Sequence, residues 1–354
     1  MRKLIAFCFA ALFVCPMIAA DSELSALVDA GRWRKAQPLA EAALKANAND
    51  AEAAYLLSRI KLARGDTDSA LPLAEQAATL QPKNANYRAH VASIVGRQAQ
   101  QASVFRQVGL GRRVKREAEA ALAIDPNNLN ALEIMMNFYQ EAPGIIGGDT
   151  KQARAMLARI KSISPAQGFI LDAQQALDAK QPAKVGELYR SAVAANPAHA
   201  GARRLLGNYL LAPDTHNYAD AETQARELVK IAPDRADSYA MLAFALAAQK
   251  KIADLDATLT TAAAKVPENL YPAYRAANGL LTAETELPRA EKLLRQYLSQ
   301  EIEIGFPSHA AAHWRLGLVL EKQGRKADAV AELKQAVAGD PKLEPAKADL
   351  RRLQ

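Results

Sequence analysis

Five histidines stand along the chain, and only His309 and His313 have the four-residue spacing that brings two imidazoles to one side of a helix and to one metal ion. No glutamate lies between them in the arrangement a zinc protease uses, and His313 falls where a packed residue is expected, so no metal site is predicted. The stretch EAPGIIGGDTKQA, from Glu141 to Ala153, concentrates one proline and three glycines. It departs from the phosphate-loop template: Gly144 is not followed at the right distance by Gly-Lys-Ser/Thr, and no strand precedes it. Glu301 and Glu303 are paired carboxylates without an implied cleft. A serine nucleophile motif, a cysteine–histidine pair and a dinucleotide fingerprint are all missing. The expectation is a protein with no catalytic residues, no cofactor and no enzymatic activity.

Charge offers the sharpest local asymmetry. Between Glu75 and Glu117 there is no acidic residue, yet Lys83, Arg88, Arg97, Arg106, Arg112, Arg113, Lys115 and Arg116 all lie there. The formal net charge of the chain is +7. A basic face of this kind concentrates anions by long-range attraction that salt screens. The same residues also serve as a solvated face, so the reading of an anion site stands beside that of ordinary solubility. Nucleic acid is disfavoured by the lack of interleaved aromatics and by an export signal.

That signal is MRKLIAFCFAALFVCPMIAA, with Arg2 and Lys3, an apolar run from Leu4, and Ile18-Ala19-Ala20 before the first acid, Asp21. The run is short of the ~20 residues a spanning helix needs and carries Pro16, so a cleaved signal over residues 1–20 is expected, not an anchor. Cys15 follows Leu12-Phe13-Val14, which does not suit lipidation. Cys8 and Cys15 would leave with the signal, and a mature chain without cysteine suits an oxidising compartment, best the periplasm of a Gram-negative bacterium. Nothing after Asp21 approaches a second membrane span.

The elements that must position any site repeat along the chain. AEAAYLLSRIKLARGDTDSALPLAEQAATLQPKN (Ala51 to Asn84), ADSYAMLAFALAAQKKIADLDATLTTAAAKVPEN (Ala236 to Asn269) and AAAHWRLGLVLEKQGRKADAVAELKQAVAGDPKL (Ala310 to Leu343) share one length and one grammar, each ending near a proline: Pro82, Pro267 and Pro341. Small residues let two helices approach, and a proline ends the second helix. With Gly65, Ala70, Ala77 and Pro82 at the spaced positions, the chain resembles the tetratricopeptide repeats. Residues Arg106 to Ile163 resemble, more narrowly, secreted proteobacterial repeat proteins that carry over no activity.

The resemblance implies an all-α, right-handed superhelical solenoid of helix–turn–helix repeats over residues 21–354, with about nine repeats. Glu344–Gln354 is expected as a closing helix with a charged outer face. Asp21–Asp50 lacks most of a first helix. Ala85–Asn128 is about ten residues too long for the repeat, around Val108-Gly109-Leu110-Gly111. Leu129–Pro165 contains the glycine-rich stretch, and Gln300–His309 is irregular. PGIIGG then reads as the turn between helices Leu129–Tyr139 and Thr150–Ile163, with Asp149 as N-cap, Gln152 as its capping-box partner, and Ile145 and Ile146 tucked against the next repeat.

First helices line the inner groove of such solenoids. The ninth position of several units holds Asn137, Gln174, Asn208 and Asn278, while Arg59, Phe244 and Leu318 interrupt the series. Amides carry donor and acceptor and can pair with the backbone of an extended peptide. Tyr55, Arg204, Tyr274 and Trp314 are the nearby anchors of the kind that dominate interfaces. The expected function is that of a periplasmic scaffold or adaptor binding a protein segment in the concave groove. The alternative is a carrier or transporter accessory that binds an anionic small molecule, lipid or other envelope component at the basic region 83–116 and the 143–149 loop.

Overall fold

The computed structural model describes residues 16–354, and among them the chain forms 19 α-helices, one 3-10 turn and no strand. The helices are α1 (Pro16–Asp29), α2 (Trp33–Ala46), α3 (Ala51–Ala63), α4 (Thr67–Leu80), α5 (Ala85–Gln101), α6 (Val104–Ile124), α7 (Leu129–Glu141), α8 (Thr150–Ile163), α9 (Pro165–Asp178) and α10 (Pro182–Ala195). They continue with α11 (Ala200–Leu211), α12 (Tyr218–Ile231), α13 (Ala236–Ala248), α14 (Ile252–Lys265), α15 (Tyr271–Thr282), α16 (Leu287–Leu298), α17 (His309–Lys322), α18 (Lys326–Gly339) and α19 (Glu344–Leu353). No described helix is long and apolar enough to cross a membrane. Of the expected signal segment, residues 1–15 lie outside the described residues. Of the 14 residues of α1, those before Asp21 lie upstream of the expected cleavage point after Ala20, so the unit Asp21–Asp50 itself keeps a shortened first helix.

Consecutive helices pair as hairpins from α1 with α2 to α17 with α18, and each hairpin packs on the next. First helices also touch the first helices of neighbouring units directly: α1 meets α3, α5 meets α7, and α9, α11, α13, α15 and α17 form an unbroken series. Closer packing in that layer curves the stack with the first helices inside. The local chemistry is that of repeated caps and turns. Asp50, Asp66 and Asn128 each accept a hydrogen bond from a backbone N–H three residues on, at 2.9, 3.0 and 3.0 Å. The fifteenth residue counted from Ala51, Ala166, Ala236 and Ala310 is left-handed in each case, with Gly65 and Gly324 in two units and Lys180 and Lys250, at φ of 56° and 60°, in the others.

Both stretched units resolve into extra helix or extra turn. Helices α5 and α6 run to 17 and 21 residues, and the Val108–Gly111 segment is simply part of α6. After α7, the 3-10 turn Gly144–Ile146 leads into α8, whose N-cap Asp149 accepts from Lys151 and Gln152 N–H groups at 2.8 and 3.3 Å. The turn folds back on its own repeat and the one before: Asp149 N–H donates to Tyr139 O at 2.9 Å, and Gly148 N–H to Pro143 O at 3.1 Å. Ile146 consequently rests near Gly111 of α6, and Ile145 is 87% exposed. Neither is tucked against the following repeat, as the sequence had suggested.

The tightest helix contact lies in the C-terminal half, where α13, apolar on nearly all sides with ten buried residues, packs more extensively on α15 than on its hairpin partner α14. A Cβ added at Gly279 would stand 2.6 Å from Phe244 O and 2.7 Å from Ala247 Cβ, so only glycine permits that approach. At the far end α19 covers α18 with Ala346 and Leu353, and Arg352 grips Glu321 with two guanidinium nitrogens.

The curvature brings the two halves of the chain together. The turn after α1 meets residues 235–303: Arg32 engages both oxygens of Glu268, the second at 2.8 Å, and Arg34 donates from its side chain to Glu301 Oε2 at 2.7 Å and to Glu301 O at 2.6 Å. The Arg34 backbone N–H points at the Glu303 carboxylate, at 3.2 and 3.3 Å, and Arg235 donates to Asp29 O at 2.7 Å. The first hairpin thereby closes a ring with residues 235–303, and α17–α19 continue beyond it.

Two glycine substitutions separate packing from propensity. Gly279→Ala is expected to destabilise the protein by about 1–3 kcal/mol through overpacking against α13. Gly109→Ala, in open space inside α6, is expected to stabilise it by about 0.5–1 kcal/mol. Urea unfolding of both variants checks the pair.

Candidate functional site

Three cavities on the first-helix side share walls and form one concave groove. The first, of about 590 Å³, lies among α5, α6, α7 and the glycine-rich turn, lined by Arg97, Gln107, Asn137, Phe138, Pro143 and Ile146 among others. It shares Ser93, Arg97, Ile134 and Asn137 with a second, of about 620 Å³, which runs past Tyr55, Asn86, His90 and Glu133 to Trp33 and Arg59. Trp33 and Arg59 are in turn shared with a third, of about 490 Å³, where the ring closes.

This third space is a chamber built by distant parts of the chain: Asp29 and Trp33 from the first hairpin, Arg59 from α3, Arg204 and Asn208 from α11, Arg235, Asp237 and Met241 at α13, Tyr271 and Arg275 from α15, and Ile304–Phe306 from the irregular loop. Arg59 pairs with Asp29 at 2.8 Å. Arg235 takes both oxygens of Asp237, at 3.0 and 2.9 Å, which holds its guanidinium above its usual pKa. Arg204 comes no nearer than 3.9 Å to that same, already occupied carboxylate. Arg275 stacks over Phe244 at 4.5 Å from the ring centroid and has no carboxylate partner among the described residues. Tyr271 and Phe306 face each other with centroids 4.4 Å apart, and burial raises the Tyr271 phenol.

The middle of the groove has a different character. Ser58 donates its hydroxyl proton to Ala70 O at 2.7 Å, so His90, whose Nε2 lies 3.0 Å from Ser58 Oγ, must donate to that hydroxyl oxygen. Burial, helped by Arg59, depresses the His90 imidazole to about 4, and Tyr55 packs edge-on against its ring at 5.1 Å. Burial also raises the Glu133 carboxyl, against a hydrogen bond with Gln167.

The sequence-predicted groove residues separate into two groups. Asn137, Asn208, Arg204 and Tyr55 line the groove. Gln174 is exposed but lines none of these cavities, and its amide donates to Asp178 at 3.2 Å. Asn278 lines none of the three cavities, and its Oδ1 is buried without a partner. Tyr274 is a core side chain, 5% exposed and stacked between Tyr271 and Tyr297, because it points into the seam where α15 meets α16. Trp314 lies under the closing helix, its Nε1–H donating to Asp349 at 2.8 Å.

The run of basic residues likewise does not form one free face. Carboxylates flanking it in sequence fold back onto it: Glu75 reaches Arg113, the nearly buried Glu117 meets Arg88 and Arg116 at 3.2 and 3.4 Å, and Glu119 meets Lys115 at 3.8 Å. Arg97 turns into the groove, and Arg106 and Arg112 remain exposed. His309 and His313 face Gln300 O and Glu332 respectively, not each other. Of the chamber arginines, sequence reasoning named Arg204 as an anchor and noted Arg59 only as an interruption at the ninth position otherwise held by amides, and it missed Arg235 and Arg275.

A family model described as tetratricopeptide repeat matches residues 23–85 and 274–344. No curated protein sequence matches the chain. Among solved structures, the chain is similar to yeast Tom70 (14% identity, 95% of this chain and 87% of that one, TM-score 0.46). It is also similar to a tetratricopeptide repeat protein from Parabacteroides merdae (15% identity, 86% and 98% covered, TM-score 0.42) and to TTC0263, a thermophilic repeat protein of Thermus thermophilus (19%, 65% and 98%, TM-score 0.35).

His90 makes the groove wall sensitive to acid. Its folded pKa of about 4 lies below the ordinary 6.5, so the unfolded chain binds a proton that the folded chain refuses. Stability is therefore full above about pH 6.5 and falls as the pH drops toward about 4, by about 2 kcal/mol between about pH 7 and 5. Urea midpoints at the two pH values should show that loss in the parent and a clearly smaller one in His90→Gln.

Proposed function

Since the chain is built of tetratricopeptide repeats, we propose that it is a scaffold that holds a segment of a protein partner in the concave groove, and that it does so in the periplasm after export by its N-terminal signal. The observation that carries this reading is the continuity of the groove: three adjoining cavities share lining residues, from Pro143 through Asn137 and Arg97 to Trp33 and Arg59, and on to Asn208. An extended chain fits such a path, with Asn86, Asn137 and Asn208 offering paired donor and acceptor groups to its backbone, and Tyr55 and Trp33 offering aromatic surface to its side chains. Binding without bond-making is the chemistry such walls support.

The rival reading, an anion carried on the outer basic region 83–116, draws less support from the geometry. Four of those eight cations, Arg88, Arg113, Lys115 and Arg116, already have carboxylate partners, Arg97 turns into the groove, and the exposed Lys83, Arg106 and Arg112 are spread over two helical hairpins. A photoreactive residue placed in turn at positions 137, 208 and 112 tests the scaffold in the cell. Positions 137 and 208 are expected to capture one and the same protein, and position 112 none. With that partner purified, Asn208→Ala should weaken binding about five-fold, the loss of about 1 kcal/mol that one hydrogen bond contributes. Capture at position 112 alone, or of lipid only, would contradict the proposal.

A further inference from the structure

We propose that the chamber at the end of the groove, besides continuing that path, is a binding site in its own right for a small organic dianion, a phosphate monoester or a dicarboxylate carried on a flat apolar body. Its walls put four guanidinium groups, from Arg59, Arg204, Arg235 and Arg275, against two carboxylates, Asp29 and Asp237. Asp29 is matched by Arg59 and Asp237 by Arg235. Arg204 and Arg275 are left facing the space with two positive charges that no chain carboxylate fully meets. Guanidinium forks recognise planar or tetrahedral oxyanions through paired N–H donors, and they do so most strongly where water is partly excluded.

Size and surface extend the argument from an anion to an organic anion. About 490 Å³ falls within the range of roughly 300–1,000 Å³ typical of small-molecule sites, and an inorganic oxyanion would leave most of it empty. Around the charged groups stand Trp33, Tyr271 and Phe306, whose rings suit a flat apolar partner. Asn208 adds an amide with both donor and acceptor. The site exists only because the ring closes, since Asp29 and Trp33 come from the first hairpin and Ile304–Phe306 from the loop that Arg34 clamps. The inference goes beyond the scaffold reading and does not depend on it, because its ligand is not the protein segment.

Phenyl phosphate is a suitable probe, titrated calorimetrically into the full chain at low salt beside inorganic phosphate. The expected results are saturable binding of phenyl phosphate, at least five-fold weaker binding of inorganic phosphate, and an affinity that falls as salt rises. Arg204→Gln and Arg275→Gln should each weaken phenyl phosphate at least ten-fold, while Arg112→Gln on the outer surface leaves it unchanged. Arg204 is partly exposed, so its variant is read even if the Arg275 substitution disturbs folding, and circular dichroism melts report that case. No binding, equal affinity for the two phosphates, or affinity unchanged in Arg204→Gln would each overturn the proposal. None of these results touches crosslinking at position 137, so failure here and failure of the scaffold reading are told apart.

Discussion

The architecture depends on one constraint: a stack of hairpins that curves must either stay open or meet itself, and here it meets itself through arginine and carboxylate. Arg32 is only 12% exposed along its side chain and its partner Glu268 28%, so this is a largely desolvated, two-point contact of the strong kind. Burial is the strongest single influence and works to raise the Glu268 carboxyl, but the Arg32 hydrogen bonds, a backbone hydrogen bond and the charges of Arg32 and Lys35 together outweigh it and bring the group below the usual carboxylate range. Glu303 shows the opposite balance. It is 4% exposed, and burial raises its carboxyl even though the N–H groups of Ile304 and Arg34 point at it. Removing a cation from such a seam leaves a half-buried acid without a partner, which costs more than the pair contributes when intact.

Closure then defines the site. A first-helix layer that packs on itself through small residues, as at Gly279, turns the stack inward. The inward face carries a groove that changes from amides and aromatics in its middle to guanidinium groups where the first hairpin meets residues 235–306. Function is read from these walls and not from the repeat fold, which hosts many tasks. The groove belongs to a chain-like guest and the chamber to a compact one, and both rest on the same curvature.

Much of the local structure was legible in the sequence because it is set by short-range chemistry. Helix Thr150–Ile163 and its cap Asp149 followed from one acid placed before a helical run, and the turn assignment of PGIIGG from its proline and glycines. Amides at the ninth position located Asn137 and Asn208, since that position looks into the groove in those two units, though not at Gln174 or Asn278. Tyr274 and Trp314 escaped because repeat position alone does not say when a neighbouring helix or cap will cover a side chain. The basic run misled because the carboxylates that pair with it, Glu75, Glu117 and Glu119, sit at or beyond its edges in sequence and return through helical geometry. The chamber was illegible for a deeper reason. Its arginines come from α3, α11, α13 and α15, and nothing local in sequence announces that Arg32 will meet a carboxylate 236 residues away.

The most direct test of ring closure is a distance measured across the seam. Spin labels at Lys35, beside the first turn, and at Ser299, beside the clamped loop, would be introduced as cysteines in a chain whose Cys8 and Cys15 are serine. Pulsed electron–electron resonance should then report a single short and narrow distance. A broad distribution reaching the far larger separations of an open superhelix would contradict the account, and with it the chamber.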